Sequence, residues 1–306
     1  MTVKVSIFPF NMKIFLFSSP GIDITSEELS SIFSSLSEHS FEWAANEWFA
    51  GHVNKMCGIG IPRDRIYSAV TPDMEGDSIM ISYGGDGTFL DAVRSLGKVS
   101  IPVLGVNFGH LGFLANVPKS EIKNVFHEIE QKNYSLSERT LLKIEGDFDS
   151  PPEHPYALND VVIHRDDVGM TAVSLSVKGE KLAVYRGDGV IISTPTGSTA
   201  YSLSAGGPIV SPACQCFVIS PIAPHNLSMR PVVVPDNREI EFTVSSRDPH
   251  ALLSLDNLSF RVRNGSTFRV SKGEKTIFLV KLQNISFYDT LRNKMMWGLD
   301  GRDERE

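Results

Sequence analysis

The stretch Ser78-Ile79-Met80-Ile81-Ser82-Tyr83-Gly84-Gly85-Asp86-Gly87-Thr88-Phe89-Leu90 reads as a buried strand, a glycine turn and the opening of a helix. That is the unit from which open α/β layers are built. Glycines at such a turn let the backbone approach a ligand closely, and the N–H groups that open the helix favour an anion. Asp86 sets a carboxylate where the anion belongs. The conflict disappears if the ligand's phosphates arrive neutralised by a divalent cation, or if the carboxylate takes a proton from a hydroxyl attacking a phosphoryl group. Both readings indicate phosphoryl transfer.

Working outward, Lys13–Phe17 and Pro102–Val106 are further short buried strands, and Ser26–Leu36, Phe41–Phe49 and Pro118–Gln131 carry helical spacing. Thr88 is expected to cap its helix, with Asp91 three residues on as in a capping box and Phe89, Leu90 and Val93 facing inward. Residues 1–135 therefore read as a Rossmann-like α/β domain with an open sheet, residues 1–11 forming an extension ahead of the first strand. After about residue 135 the character changes to short segments rich in β-branched and aromatic residues, separated by turns. They run from Thr140–Ile144 and Ala157–His164 to Thr267–Val270 and Ile277–Leu282, the last two read as separate strands. Residues 136–285 are expected to form an all-β domain, with Gly146–Pro155 a loop inside it. The tail, 286–306, regains a helical pattern over Phe287–Trp297 and is expected to pack back on the first domain.

With 306 residues, 42% hydrophobic and 21% charged, the composition is that of an ordinary globular protein of two domains. A formal charge of −7 argues against a general nucleic-acid or acidic-membrane surface, since those partners need clustered Lys and Arg. Met1–Ser19 is apolar but interrupted by Pro9, Asn11 and Lys13, and does not read as a secretory signal. Cys57, Cys214 and Cys216 form no metal-ligand spacing and read as buried small residues in a reducing, cytoplasmic compartment. There is no H-E-x-x-H and no G-x-S-x-G, and the Gly84–Thr88 loop lacks the Lys-Ser/Thr ending of a P-loop.

Three further segments carry polar or glycine signals. Gly105-Val106-Asn107-Phe108-Gly109-His110-Leu111-Gly112-Phe113-Leu114 follows the next strand and should emerge on the same edge as the first loop. Its Phe108 and Phe113 either stack on a base or fill core. Asn159-Asp160 lies in the apolar run Tyr156–His164, and adjacent residues on a strand point to opposite faces. One of the two therefore faces the interior or a ligand. Arg186-Gly187-Asp188-Gly189 precedes Ser193–Pro208, a run of hydroxyl and small residues with room for a bulky polar ligand. Within it Thr199–Ser204 can open a short helix, with Tyr201 as a flat face.

In this order, over about residues 80–210, the four segments resemble the NAD kinase family. Gly-Gly-Asp-Gly-Thr alone is shared with lipid kinases and, more distantly, 6-phosphofructokinases. The run Thr194-Pro-Thr-Gly-Ser-Thr-Ala-Tyr-Ser202 is what those relatives lack. The resemblance implies a two-domain architecture and transfer of a phosphoryl group from ATP, or in some members polyphosphate, to the adenosine 2′-hydroxyl of NAD. It implies that Asp86 is the general base, with Gly87 beside it and Phe113 near the adenine. It implies that Asn159, Asp160, Arg186, Asp188, Thr199, Ala200, Tyr201, Ser202, Leu203 and Ser204 bind the substrates. Ala223, Asp256 and Asn257 would complete the pocket. Mg²⁺ would be held chiefly by ATP phosphates. The implied protein is a homo-oligomer without nucleic-acid or membrane partner. Many members have Asn-Glu where this chain has Asn159-Asp160, which puts the reach of Asp160 in question. A lipid kinase and a non-catalytic dinucleotide sensor are the alternatives.

Overall fold

Apolar runs of five or six residues cannot alternate faces with water, so they settle as parallel strands covered on both sides. The computed structural model, which describes residues 12–109, 112–246, 248–282 and 286–298, shows this in its first unit, residues 1–137 and 278–306. Chain order there is β1 (Lys13–Phe17), α1 (Ser26–Ser37), β2 (Glu42–Asn46), α2 (Glu47–Cys57), β3 (Ile66–Tyr67), β4 (Ser78–Tyr83), α3 (Asp86–Ser95), β5 (Val103–Asn107), β6 (Val117–Pro118) and α4 (Ile122–Glu130). The strands lie in the order β3-β2-β1-β4-β5, with β6 beside β5, and every pairing among them is parallel. All six residues of β4 are buried. The core joins Ile14, Leu16, Ile79, Ile81, Leu104 and Val106 of the sheet to Leu29 and Ile32 of α1, Phe49 and Val53 of α2, and Ile122, Val125, Phe126 and Ile129 of α4.

Two sequence expectations fail here. Phe41–Phe49 is not a helix: Glu42–Asn46 is a strand paired with β1 in the register Ile14↔Trp43 and Phe15↔Ala44, and the helix starts at Glu47. Alanines favour helix in isolation, but Ala44 and Ala45 are needed as small buried residues of the sheet, and tertiary packing overrides propensity. Asn46 marks the switch, its side chain accepting from Phe49 N at 3.1 Å to cap α2. Nor does Thr88 cap its helix. α3 opens at Asp86 with Gly85 as N-cap and no side-chain cap bond, while Asp91 pairs with Arg94.

The second unit, residues 138–277, is antiparallel. It is built from β7 (Tyr134–Gly146), β8 (Tyr156–Ala157), β9 (Asp160–Arg165), β10 (Thr171–Val177), β11 (Glu180–Gly187), β12 (Gly189–Ser193), a one-turn α5 (Tyr201–Ser204), β13 (Cys216–Ile222), β14 (Val232–Pro235), β15 (Ile240–Ser246), β16 (His250–Leu255), β17 (Leu258–Arg263) and β18 (Thr267–Leu282). One run of strands has the order β11-β10-β15-β18, and a six-stranded sheet has the order β14-β13-β12-β9-β16-β17. Its core gathers Val161, Ile163, Val173, Leu175, Phe217, Ile219, Phe242, Val244, Leu253 and Phe268. β18 is one strand where two were expected. Its middle alternates exposed and half-buried positions from Lys272 to Lys275, and those polar residues hide its continuity. From Phe278 onward the chain belongs to the first unit, where Leu279 pairs with Val103 and α6 (Phe287–Met295) follows.

The cysteines are unpaired but not buried: Cys214 is exposed, and Cys57 and Cys216 are half-exposed. No helix among the described residues is long and apolar enough to cross a membrane.

Candidate active site

The turn after β4 is closed by contacts that only glycine admits. A Cβ on Gly84 would lie 2.3 Å from Thr88 Oγ1 and 2.2 Å from Ile22 Cδ1. Thr88, buried in the first turn of α3, accepts from Ser19 Oγ at 3.2 Å and so ties the loop after β1 to the loop after β4. Gly87 is exposed beside it.

Asp86 is the first residue of α3, and its carboxylate is clamped by the next loop of the sheet edge. Oδ1 accepts the backbone N–H groups of Leu114 at 3.0 Å and Ala115 at 2.9 Å, and Oδ2 accepts that of Phe113 at 3.0 Å. A carboxylate offers about four acceptor positions. The one left is on Oδ2, and the side chain remains 32% exposed there. The arrangement orients one lone pair and leaves little rotational freedom, which suits a base that acts by alignment. Phe113 is half-buried, its ring 6.3 Å from Phe287 of α6, whereas Phe108 packs edge-on to Tyr83 at 5.9 Å and fills core. Lys294, also on α6, places Nζ 3.9 Å from Asp86 Oδ2.

A cavity of about 550 Å³ opens beside this turn, lined by Ser18–Ile24 after β1 and by Trp48, Gly51, His52, Lys55 and Met56 of α2. It lies at the carboxyl ends of adjacent parallel strands, where open α/β sheets take ligands. His52 Nε2 donates to Ile24 O at 2.7 Å and pins its wall, Lys55 supplies a cation, and Trp48, 59% exposed, presents an aromatic surface. Among the described residues no cluster of three or more His, Cys, Asp or Glu can hold a metal ion.

In the second unit Asn159 and Asp160 do not lie in one strand. β8 ends at Ala157, β9 starts at Asp160, and the chain bends at Leu158-Asn159. The bend is held by Asp256, in the two-residue turn between β16 and β17 with φ 51°, which suits the primed turns of tight hairpins. Its carboxylate accepts from Leu158 N at 2.9 Å, Asn159 N at 2.8 Å and Asp160 N at 3.2 Å. Asn159 stays half-exposed, Asp160 is buried, and Asn257 is exposed in the turn. Burial first, and the neighbouring Asp256 carboxylate second, push Asp160 up to about 8. The folded protein therefore keeps a proton that the unfolded chain releases near pH 4. Stability should fall as pH rises from about 4 to about 8, by up to about 1.4 kcal/mol per pH unit. Urea midpoints measured across that range check this, and Asp160→Asn should flatten the slope.

The hydroxyl run is partly scaffold. Thr194 Oγ1 donates to Leu158 O at 2.6 Å and accepts from Gly197 N, Ser198 Oγ donates to Pro195 O at 2.7 Å, and buried Ser202 shares a hydrogen bond with Ser220 at 3.0 Å. Thr199, Ala200, Leu203 and Ser204 retain exposure, and Tyr201 is 47% exposed. A 3-10 turn, Thr196–Thr199, precedes the one-turn helix. Arg186 is exposed and its carbonyl accepts from His225 N, Asp188 pairs with Arg165 at 3.0 Å, and Ala223 has φ 41° with its carbonyl close against Gly187.

Lys294, Trp48 and Lys55 escaped the sequence reading, because no local pattern in α6 or α2 reports what their side chains reach.

Residues 30–134 match the family model of the ATP-NAD kinase N-terminal domain, and residues 158–282 match that of the C-terminal domain. The chain belongs to the NAD kinase family. An NAD kinase of Bacteroides fragilis is 37% identical over 292 residues, 95% of this chain and all of that protein. One of Cytophaga hutchinsonii is 39% identical over 269 residues, 88% of this chain and 92% of that protein. Among solved structures, yeast NADH kinase complexed with NADH superposes with a TM-score of 0.83 at 25% identity, covering 95% of this chain and 89% of that one. The fold is also that of an NAD kinase from Archaeoglobus fulgidus in complex with ATP, at a TM-score of 0.69 and 23% identity, covering 93% and 98% of the two chains.

Proposed function

We propose that this enzyme phosphorylates the adenosine 2′-hydroxyl of NAD with ATP, giving NADP and ADP. The observation that carries the reading is the Asp86 carboxylate, held by three backbone N–H groups with one acceptor position open on Oδ2. In the step, the 2′-oxygen bonds to the γ-phosphorus as the bond to the β-phosphate oxygen breaks. The hydroxyl proton passes to Asp86 Oδ2. Mg²⁺ would enter as part of the MgATP substrate, held chiefly by phosphate oxygens, and would screen the phosphate charge.

The donor's place is the cavity after β1, joined to the Gly84–Thr88 loop through Ser19 and Ile22. Its volume suits a small molecule, Trp48 offers a stacking face for the base, and Lys55 a charge for the phosphates. Recognition of NAD is assigned to Asn159, Asp160, Arg186, Asp188, Thr199–Ser204, Ala223, Asp256 and Asn257, as the family resemblance implies. The reading also takes the protein as cytoplasmic and homo-oligomeric. Support comes from the unpaired cysteines, as in a reducing compartment, and from apolar side chains exposed on β11 and β14, Leu182 and Val233.

Purified protein incubated with NAD, ATP and Mg²⁺ should form NADP, read by coupling to an NADP-specific dehydrogenase. Binding of NAD without any NADP would instead indicate a sensor. In the same assay Lys55→Met should raise KM for ATP about tenfold, the loss of one charged contact, and leave KM for NAD unchanged.

A further inference from the structure

The fold positions a cation at Asp86 that no glycine-loop motif encodes. α6 is capped by Ser286 and Asp289, with Asp289 N donating to Ser286 Oγ at 3.0 Å. Thr290 and Leu291 are buried, and Phe287 packs its ring on Phe113. This helix carries Lys294 so that Nζ stands 3.9 Å from Asp86 Oδ2 and 4.7 Å from the centre of the Phe113 ring. Among the ion pairs of the described residues, Lys294 is the cation that faces Asp86. Stability alone does not account for the contact. At 3.9 Å, with both side chains about one-third exposed, such a pair is worth little.

We propose that Lys294 is a further catalytic residue, supplying to the transferring γ-phosphoryl group the positive charge that a P-loop lysine supplies elsewhere. The inference rests on the reading of Asp86 as the base. A hydroxyl hydrogen-bonded to Oδ2 lies about 3 Å from it, and the attacked phosphorus lies about 3–3.5 Å further on. The phosphoryl oxygens then come within reach of an ammonium that already stands 3.9 Å from the same carboxylate oxygen. Lysine suits this role as a compact point charge on a flexible stem. The Phe113 face holds the ammonium near the reacting atoms by cation–π attraction. Charge that builds on the equatorial oxygens during transfer is met without a dedicated loop lysine.

The test compares Lys294→Met and Lys294→Gln with the wild-type chain in two measurements. Turnover should fall roughly a hundredfold or more in both variants, with KM for NAD within a few-fold. By calorimetry, a non-hydrolysable ATP analogue carrying a γ-phosphate should bind about tenfold more weakly to the variants, whereas ADP should bind as before. A purely structural lysine would weaken both nucleotides or neither. Near-normal turnover, or an equal effect on analogue and ADP, would overturn the proposal. If one variant fails to fold, the other carries both measurements. Failure of the wild-type chain to make NADP would remove the reading of Asp86 itself, and the γ-phosphate selectivity of Lys294 would still be measured by binding.

Discussion

Asp86→Asn is expected to lower turnover by on the order of a thousandfold while the affinity for NAD stays within a few-fold. The carboxylate's proposed task is to take a proton in the transition state, and an amide cannot. The structure adds a second consequence. Asparagine has one acceptor oxygen, which can serve the N–H groups of Leu114 and Ala115. Its NH₂ group then faces the N–H of Phe113, donor against donor. Leaving that N–H unsatisfied costs about 1–3 kcal/mol. The variant should therefore also melt at a lower temperature. Steady-state kinetics, NAD titration and a thermal melt on one preparation separate the effects. Near-normal turnover would remove Asp86 from the base's role.

Gly112→Ala should inactivate the enzyme with Asp86 still in place. A Cβ on Gly112 would lie 1.9 Å from Asp86 Oδ1, 2.7 Å from its Cγ and 3.0 Å from the carbonyl oxygen of Ala115. Either the carboxylate or the 112–115 loop must move, and a displacement of about 1 Å costs on the order of a hundredfold in rate. The double variant Gly112→Ala/Asp86→Ala should be no slower than Asp86→Ala alone. The two changes act on one group, and such effects do not add. Multiplicative losses in the double variant would show that Gly112 matters for another reason.

The strand, turn and helix over residues 78–95 were legible because all their determinants are local: a continuous apolar run, glycines and a helical face of Phe89, Leu90 and Val93. The antiparallel segments of the second unit were legible from β-branched runs between turns. What local pattern does not contain is the partner of each group. Thr88 reads as a cap until Ser19, 69 residues away, is seen to donate to it. Glu42–Asn46 reads as helix until β1 is laid beside it. Asn159-Asp160 reads as part of a strand until the Asp256 carboxylate binds three successive N–H groups there. Ser202 reads as one more hydroxyl of a polar run until it is seen to be buried and to share a hydrogen bond with Ser220, 18 residues away.

The first unit is discontinuous in the chain, and that constrains the order of events on the ribosome. Domains generally fold as they are synthesised, N-terminal first. Here Val103 of β5 waits for Leu279, and the side of Asp86 that Lys294 faces stays bare until α6 is made. The first unit is finished only by residues from Phe278 onward. A nascent chain stalled after the second unit would carry the glycine turn with an incomplete sheet.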